Sequence, residues 1–429
     1  MNLTYISLKN ILSKPLSSTL SLLLLVLGVA MISFMMVVND GLDKDFRKNI
    51  KDIDMVVGAK GSPLQLILSA VYQIDNPTGN INYLDVKRAL RNPLVEKTIP
   101  LAYGDNYAGY RIVGTNEDYA THYGMELETG ELWHRPFECT IGAVAAETTG
   151  LVVGDTFFSL HGLTVDDSHV HDNIAFKIVG VFKESGTVLD RLILTSIESV
   201  WLVHDDHDHA TCDDPTHDHG PIQKRDTLNN EPAYDPFAED YQPMPVGPDR
   251  EITAMLVQFK SAMGLMTLPN MINRSTNFQS ALPAIEINRL FDLFGAGIAA
   301  LRMIALAIII ISALSMFISL YNNLKERRYE LALMRSMGAS PARLFLLILI
   351  EANLLAFAGI VVGFVASRSG LIAAQQFASS QLSGSLIRWV PLADEYTLFV
   401  LVMLVANLAA IIPAYQSTKL IISDVLSKK

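Results

Sequence analysis

Four stretches of this 429-residue chain each hold about the 20 apolar residues that a helix needs to cross a bilayer, and this limits the fold more than any other feature. They cover residues 16–38, 296–320, 344–366 and 396–414. The first, LSSTLSLLLLVLGVAMISFMMVV, is longer than a signal-peptide core and lacks a small-residue cleavage site after it, so it reads as a retained anchor. Half of the chain is hydrophobic, as expected for a membrane protein with a sizeable soluble part.

Lys and Arg in the short loops set the expected orientation. Lys9 and Lys14 precede the first span. Lys325, Arg327, Arg328, Arg335 and Arg343 lie between the second and third, and Lys419, Lys428 and Lys429 follow the fourth. All fall on one side if both termini are cytoplasmic, in a multi-pass protein of the inner membrane. The roughly 250 residues between spans one and two then lie outside, with all ten histidines, and so does a short loop over residues 367–395.

The outer segment reads as mixed α and β. DIDMVVGA (residues 52–59), AFKIVGVF (175–182), GDTFFSLHG and EITAMLVQFK (251–260) are expected strands, and YLDVKRALRN (83–92) is an expected helix. A helical stretch over residues 286–294 leads back to the membrane. The fold class is therefore an α-helical membrane protein with four transmembrane helices, plus a mixed α+β extracytoplasmic domain between helices 1 and 2. The expected divisions are residues 1–40, 41–290 and 291–429.

Residues 204–249 break the pattern. They are rich in proline and carboxylate, too poor in large apolar residues to offset their ordering entropy, and are expected to form a mobile insertion. Residues 201–250 hold 12 acidic and 3 basic side chains, a net −9 of the chain's −11, so the acidity is local. With no basic stripe to meet phosphates, nucleic acid is excluded as a partner. The tract HDDHDHATCDDPTHDHG offers His204, His207, His209, Cys212, His217 and His219 as nitrogen and sulfur ligands. Neutral imidazole suits Zn²⁺, Ni²⁺ and Cu²⁺, and zinc needs about four ligands. The alternative is a solvated linker without metal. His161, His169 and His171, with Asp166, Asp167 and Asp172, form a weaker second group. Cys212 is either a ligand or a disulfide partner for Cys139, the only other cysteine.

No G-x-x-x-x-G-K-[ST] phosphate loop occurs, so ATP hydrolysis is expected only in a partner, and no local motif offers a catalytic triad or carboxylate pair. Residues 322–339, NNLKERRYELALMRSMGA, form an expected amphipathic helix between spans two and three. Leu324, Tyr329, Leu331, Leu333, Met334 and Met337 give its apolar side, and Gly338 suits its end. It reads either as a membrane-surface helix or as a docking element. Arg302 and Glu351 lie within apolar spans. Arg302 is placed to snorkel, and Glu351 to serve helix packing or line a pore. Gly359 and Gly363 make a G-x-x-x-G pair in span three.

Several blocks carry a resemblance to the FtsX-like and MacB-like permease family, which includes the lipoprotein-releasing and macrolide-exporter types. ISLKNILSKPLSSTLSLLLLVLGVA is similar to its elbow and first span, and AAETTGLVVGDTFFSL with FKIVGVFKESGTVLDRLIL to its extracytoplasmic domain. KERRYELALMRSMGASPARLFLLILIEANLLA is similar to its coupling helix and third span, and IIPAYQSTKLIISDVL to its C-terminal end. The resemblance implies the permease subunit of an ABC complex, paired with a second permease copy or paralogue and bound to cytoplasmic ATPase subunits. It implies coupling roles for Glu326, Arg327, Arg328, Glu330, Arg335 and Gly338. The insertion departs from the family's usual form. With it, a metal, a metal-binding protein or a lipoprotein becomes the expected cargo. Lipoprotein release without a metal role, and a metal-sensing module without transport, are the alternatives.

Overall fold

A computed structural model describes residues 3–13, 15–161, 170–205, 243–244, 246–377 and 389–419. The chain divides into an outer unit, Lys44–Phe291, and a membrane unit made of Met1–Asp43 and Asp292–Lys429. Among the described residues, four helices are long and apolar enough to cross a membrane: Ser18–Asn49, Pro283–Glu326, Pro341–Ala374 and Ala393–Thr418. Each overruns its apolar run, because helix formation does not stop where hydropathy falls. A short helix α1 (Leu3–Ser13) precedes α2 (Pro15–Asn49), which continues through polar NDGLDKDFRKN with no proline to end it.

The outer unit begins with β1 (Met55–Ala59), α3 (Pro63–Ala70), β2 (Ile81–Asn82), α4 (Tyr83–Ala89), β3 (Val95–Tyr107) and β4 (Tyr110–Thr115). It continues with α5 (Glu117–His122), β5 (Leu127–Gly130), β6 (Glu138–Ile141), α6 (Ala143–Thr149), β7 (Thr156–His161) and β8 (Val170–Phe182). Then follow β9 (Ile193–Ser196), α7 (Ile197–Asp205), β10 (Glu251–Ile252), β11 (Ala254–Phe259), α8 (Ala262–Ser275) and β12 (Phe278–Ala281). The main sheet runs β12-β1-β11-β3-β4-β9-β6-β8-β5. Because β7 pairs with both β3 and β8, strands β3, β4, β9, β6, β8 and β7 close into a ring. Ile112, Cys139, Ile141, Phe157, Ile178 and Ile193 share its core, where Phe157 stacks on Phe176 at 5.6 Å. Beyond the ring, β1 and β11 are buried on both faces. Val56 and Leu256 enter one core, and Met55, Val57, Met255 and Val257 enter another, as the two-residue period of a strand requires.

All four expected strands occur, with corrected ends. The first begins at Met55, because Asp52 has φ 58 and turns the chain out of α2. The 251–260 run splits into β10 and β11 at Thr253, whose N–H donates to the Leu101 carbonyl at 2.9 Å. The 83–92 helix stops at Ala89.

The remaining helices are α9 (Pro283–Glu326), α10 (Arg328–Ser336), α11 (Pro341–Phe377) and α12 (Ala393–Thr418). Two expectations change here. The helix expected over residues 322–339 is not one piece: residues 322–326 finish α9, and α10 starts after a break at Arg327. The expected loop over 367–395 is shorter, since α11 runs to Phe377 and α12 starts at Ala393, so Ser367, Arg368 and Glu395 are helical and buried. Leu398, Val402, Ala406, Ala410 and Ala414, four residues apart, line the buried side of α12. Polar ties join the helices: the Ser21 and Ser315 hydroxyls lie 2.9 Å apart between α2 and α9, and Asn353 and Asn407 exchange amide hydrogen bonds of 2.9 and 3.1 Å between α11 and α12. Arg302 is exposed on α9, and Glu351 is buried on α11.

The G-x-x-x-G pair is a contact. Gly359 lies against Leu25 of α2, and a Cβ on Gly363 would stand 2.8 Å from the Val29 Cβ. Gly363→Val should therefore overpack α2 against α11, at a cost of about 1–3 kcal/mol, and lower the melting temperature of the full chain in detergent. Gly295→Ala, where nothing stands within 4 Å, should leave it unchanged or slightly raised. A Gly363→Val variant that melts no lower than the wild type would refute the close approach.

Candidate coupling site

The segment between α9 and α11 is a short helix fastened at both ends. Arg327, with φ −99 and ψ 15, leaves helical geometry and starts a new helical direction. Gly338 ends the segment: its φ of 97 suits a residue without Cβ, and the Ala339 N–H then reaches back to the Met334 carbonyl at 3.0 Å. Pro341, which has no N–H to satisfy, opens α11.

Side chains anchor the segment to its neighbours. Arg327 pairs through Nε with Glu330 Oε2 at 3.0 Å and donates from Nη2 to Asn10 Oδ1 of α1. Asn10, Asn323, Arg327, Met334, Ile348 and Glu351 line one small cavity, in which Glu351 is only 5 % exposed. At the other end, Arg335 Nη1 donates to the Thr418 carbonyl at 3.2 Å, placing a cation at the negative end of α12. Leu331 and Ala332 are buried, and Met334 packs on the same core.

The apolar side expected from sequence is thus two sides. Leu324, Leu331 and Met334 face inward. Tyr329, Leu333 and Met337, also four residues apart, are 54 %, 46 % and 80 % exposed, and Arg328 and Glu330 are exposed beside them. Of the expected coupling residues, Arg327 and Arg335 hold the segment in place, Gly338 ends it, and Glu326, Arg328 and Glu330 are exposed. Sequence reasoning missed the outward apolar stripe and the anchors Asn10 and Thr418. The four-residue spacing from Tyr329 to Met337 was the available signal.

Within the outer unit, the last turn of α2 sits in a collar of side chains. Tyr72 donates to the Phe46 carbonyl at 2.9 Å and Tyr123 to the Asn49 carbonyl at 2.8 Å, while His122 Nε2 meets the Lys51 carbonyl at 2.8 Å. The Val188 N–H donates to Asn49 Oδ1 at 2.8 Å, and Lys48 reaches the Ser185 carbonyl. A helix end leaves its last carbonyls short of partners; Tyr123 supplies one for Asn49, and Tyr72 adds a second to Phe46, which also accepts the Ile50 N–H at 3.3 Å. Burial pushes both tyrosine hydroxyls up in pKa, which keeps them neutral donors. Phe46 also meets Phe291 of α9 edge-on at 5.5 Å, so the end of α2 and the start of α9 touch here.

Of the expected metal ligands, His204 lies in the last turn of α7, packed where a Cβ on Gly104 would otherwise stand. His207, His209, Cys212, His217 and His219 lie outside the described residues, as do His169, Asp166 and Asp167. His161, His171 and Asp172 are placed by backbone alone, in β7 and β8. Among the described residues, no group of three or more His, Cys, Asp or Glu side chains could hold a metal. Cys139 is buried and has no disulfide partner among the described residues, which leave out Cys212, and burial pushes its thiol pKa up.

A family model described as the MacB-like periplasmic core domain matches residues 18–211, and one described as the FtsX-like permease C-terminal matches residues 302–421. The chain belongs to the FtsX/MacB-like family of ABC permeases. Members of this family are membrane subunits that work with cytoplasmic ABC ATPase partners. Two solved structures are similar to the chain. One is the periplasmic region of MacB from Actinobacillus actinomycetemcomitans, at 11% identity and TM-score 0.33, covering 58% of this chain and 97% of that one. The other is the extracellular domain of the noncanonic ABC-type transporter YknZ from Gram-positive bacteria, at 12% identity and TM-score 0.29, covering 53% and 98%. No curated protein matches the permease chain.

The collar carries a pH dependence. Burial is the largest influence on His122 and lowers its pKa below the ordinary 6.5, although the Lys51 carbonyl and Asp52 pull it upward. Well above pH 6.5 neither the folded nor the unfolded imidazole binds a proton, and His122 adds no slope. Below it, the unfolded chain protonates first, so folded stability falls until the folded imidazole also titrates. Thermal melts of the full chain between pH 7 and 5 should lose less stability in His122→Gln than in the wild type. Equal slopes would count against a lowered His122 pKa in the fold.

Proposed function

We propose that this permease subunit receives ATP-driven change from a cytoplasmic ABC ATPase at α10 and passes it along α2 and α9 to the outer unit. The observation that carries this reading is the exposed Tyr329–Leu333–Met337 stripe on a helix tied down at both ends. A docking element must resist its partner's push, and Arg327–Asn10 and Arg335–Thr418 supply that resistance. Large apolar side chains flanked by charges match the centre and rim of a protein interface. The Lys and Arg distribution supports cytoplasmic termini, which puts α10 on the ATPase side. Within the outer unit the collar bonds the last turn of α2, which suits that helix to carry the change. A second copy or a paralogue completes the permease pair.

Leu333→Glu with Met337→Glu should lower ATPase recovery in a pull-down at least tenfold, a loss of about 1.4 kcal/mol or more. The melting temperature should hold, because both sites are exposed. Arg327→Ala should instead lower the melting temperature, since it breaks the ties to Asn10 and Glu330. Undiminished recovery from the double glutamate variant would end this reading of the stripe.

For the cargo, the imidazole-rich composition of residues 204–219 supports a transition metal, a metal-binding protein or a lipoprotein as the outer ligand. Calorimetry on the full chain should detect zinc binding at micromolar level, weakening below about pH 6.5 as imidazoles protonate, and lost when His204, His207, His209, His217 and His219 become Ala. Equal affinity in both proteins, or none in either, would remove metal from the function.

A further inference from the structure

Arg368 and Glu395 are wholly buried in the membrane unit, and Arg368 Nη2 meets Glu395 Oε2 at 2.7 Å. Neither belongs to the coupling segment. Ser33 of α2 joins them: its hydroxyl donates to Glu395 Oε1 at 2.5 Å and accepts from Arg368 Nη1 at 3.2 Å. The Ser367 hydroxyl stands 3.0 Å from that of Ser33. Glu395 also accepts the Leu392 N–H at 2.7 Å, and the guanidinium lies over the Phe364 ring at 4.3 Å. Three helices, α2, α11 and α12, therefore meet at one charge pair.

Further contacts between α2 and α11 are apolar, with Gly359 against Leu25, Gly363 against Val29 and Gly370 against Phe34. Such surfaces set how closely two helices approach, and they are weakly directional along the axis. A forked ion pair is directional. A shift of α2 by one helical turn, about 5.4 Å, would pull the Ser33 hydroxyl out of bonding range of both charges. An intramembrane charge left short of partners is costly, so the contact is either made or broken, with little between. The α11–α12 pair has a separate tie in Asn353–Asn407, and keeps its own register whatever α2 does.

We propose that Ser33, Arg368 and Glu395 form a breakable register lock, which holds α2 at one axial position against the α11–α12 pair and opens when α2 shifts during the ATP-driven cycle. The opening rests on the permease reading above; the lock itself does not. The test uses the full chain in lipid nanodiscs with spin labels at outward-facing sites, Leu27→Cys on α2, Val361→Cys on α11 and Val400→Cys on α12, read by pulsed electron paramagnetic resonance. The 27–400 and 361–400 distances should both be narrow in the otherwise wild-type protein. Ser33→Ala should at least double the width of the 27–400 distribution and leave 361–400 narrow. Arg368→Leu with Glu395→Leu, which leaves no unpaired ion, should do the same while the protein still melts cooperatively.

An unchanged 27–400 distribution in both variants would overturn the lock, because apolar packing alone would then fix the register. Equal broadening of both distances would also overturn it, as general loosening. In the complex with a co-purified ATPase, ATP and vanadate should add a second 27–400 population, and its absence would overturn the opening. Failure of any ATPase to bind would instead defeat the permease reading, while the comparison without ATPase still decides the lock.

Discussion

A hydrocarbon layer supplies no hydrogen bonds, and the membrane unit is arranged around that deficit. Polar side chains within the apolar helices come in sets that satisfy one another: Ser21 with Ser315, Asn353 with Asn407, Arg368 with Glu395 and Ser33. Because lipid is as apolar as leucine, burial gives the helices little reason to choose one neighbour over another. The polar sets make that choice. Glycine and alanine then let the backbones close in around them, as at Gly363 and along the alanines of α12.

The outer unit follows water's rules instead. Its closed ring of six strands removes sheet edges where aggregation could start, and its apolar cores lie on both faces of the adjoining strands. A different problem arises where α2 enters it, since a helix end presents unsatisfied carbonyls. Tyr72 and Tyr123, drawn from two separate parts of the chain, donate to two carbonyls of the last turn, and His122 meets the Lys51 carbonyl just beyond the helix. The same bonds that satisfy the backbone also fix the last turn of α2 within the outer unit.

The spans were legible because twenty apolar residues in a row admit few other readings. The outer strands were legible as short β-branched runs, but the ring was not, because pairings such as β4 with β9 and β3 with β7 join residues far apart in sequence. Arg368 was misassigned to a loop for a physical reason: hydropathy falls at any charge, and its partner Glu395 stands 27 residues away. The two faces of α10 were merged because Leu331 and Leu333 are chemically alike, and only packing distinguishes them. The collar left no local pattern at all. The family resemblance pointed to the segment between α9 and α11, whereas the roles of Arg327 and Arg335 as internal anchors needed three-dimensional contacts.

The reciprocal amides of Asn353 and Asn407 also bear on how the chain is made. Each is partly buried within an apolar helix, and each finds its partner on the helix next in sequence. Released singly into lipid, either helix would keep its carboxamide's bond to its own i−4 carbonyl, Asn353 to Leu349 and Asn407 to Met403, but would leave the amide oxygen without a partner. Released as a hairpin, both enter already satisfied. Biogenesis of the last two spans is thereby biased toward paired insertion, and a delay between their emergence from the ribosome would be tolerated only while the insertion machinery shelters the first.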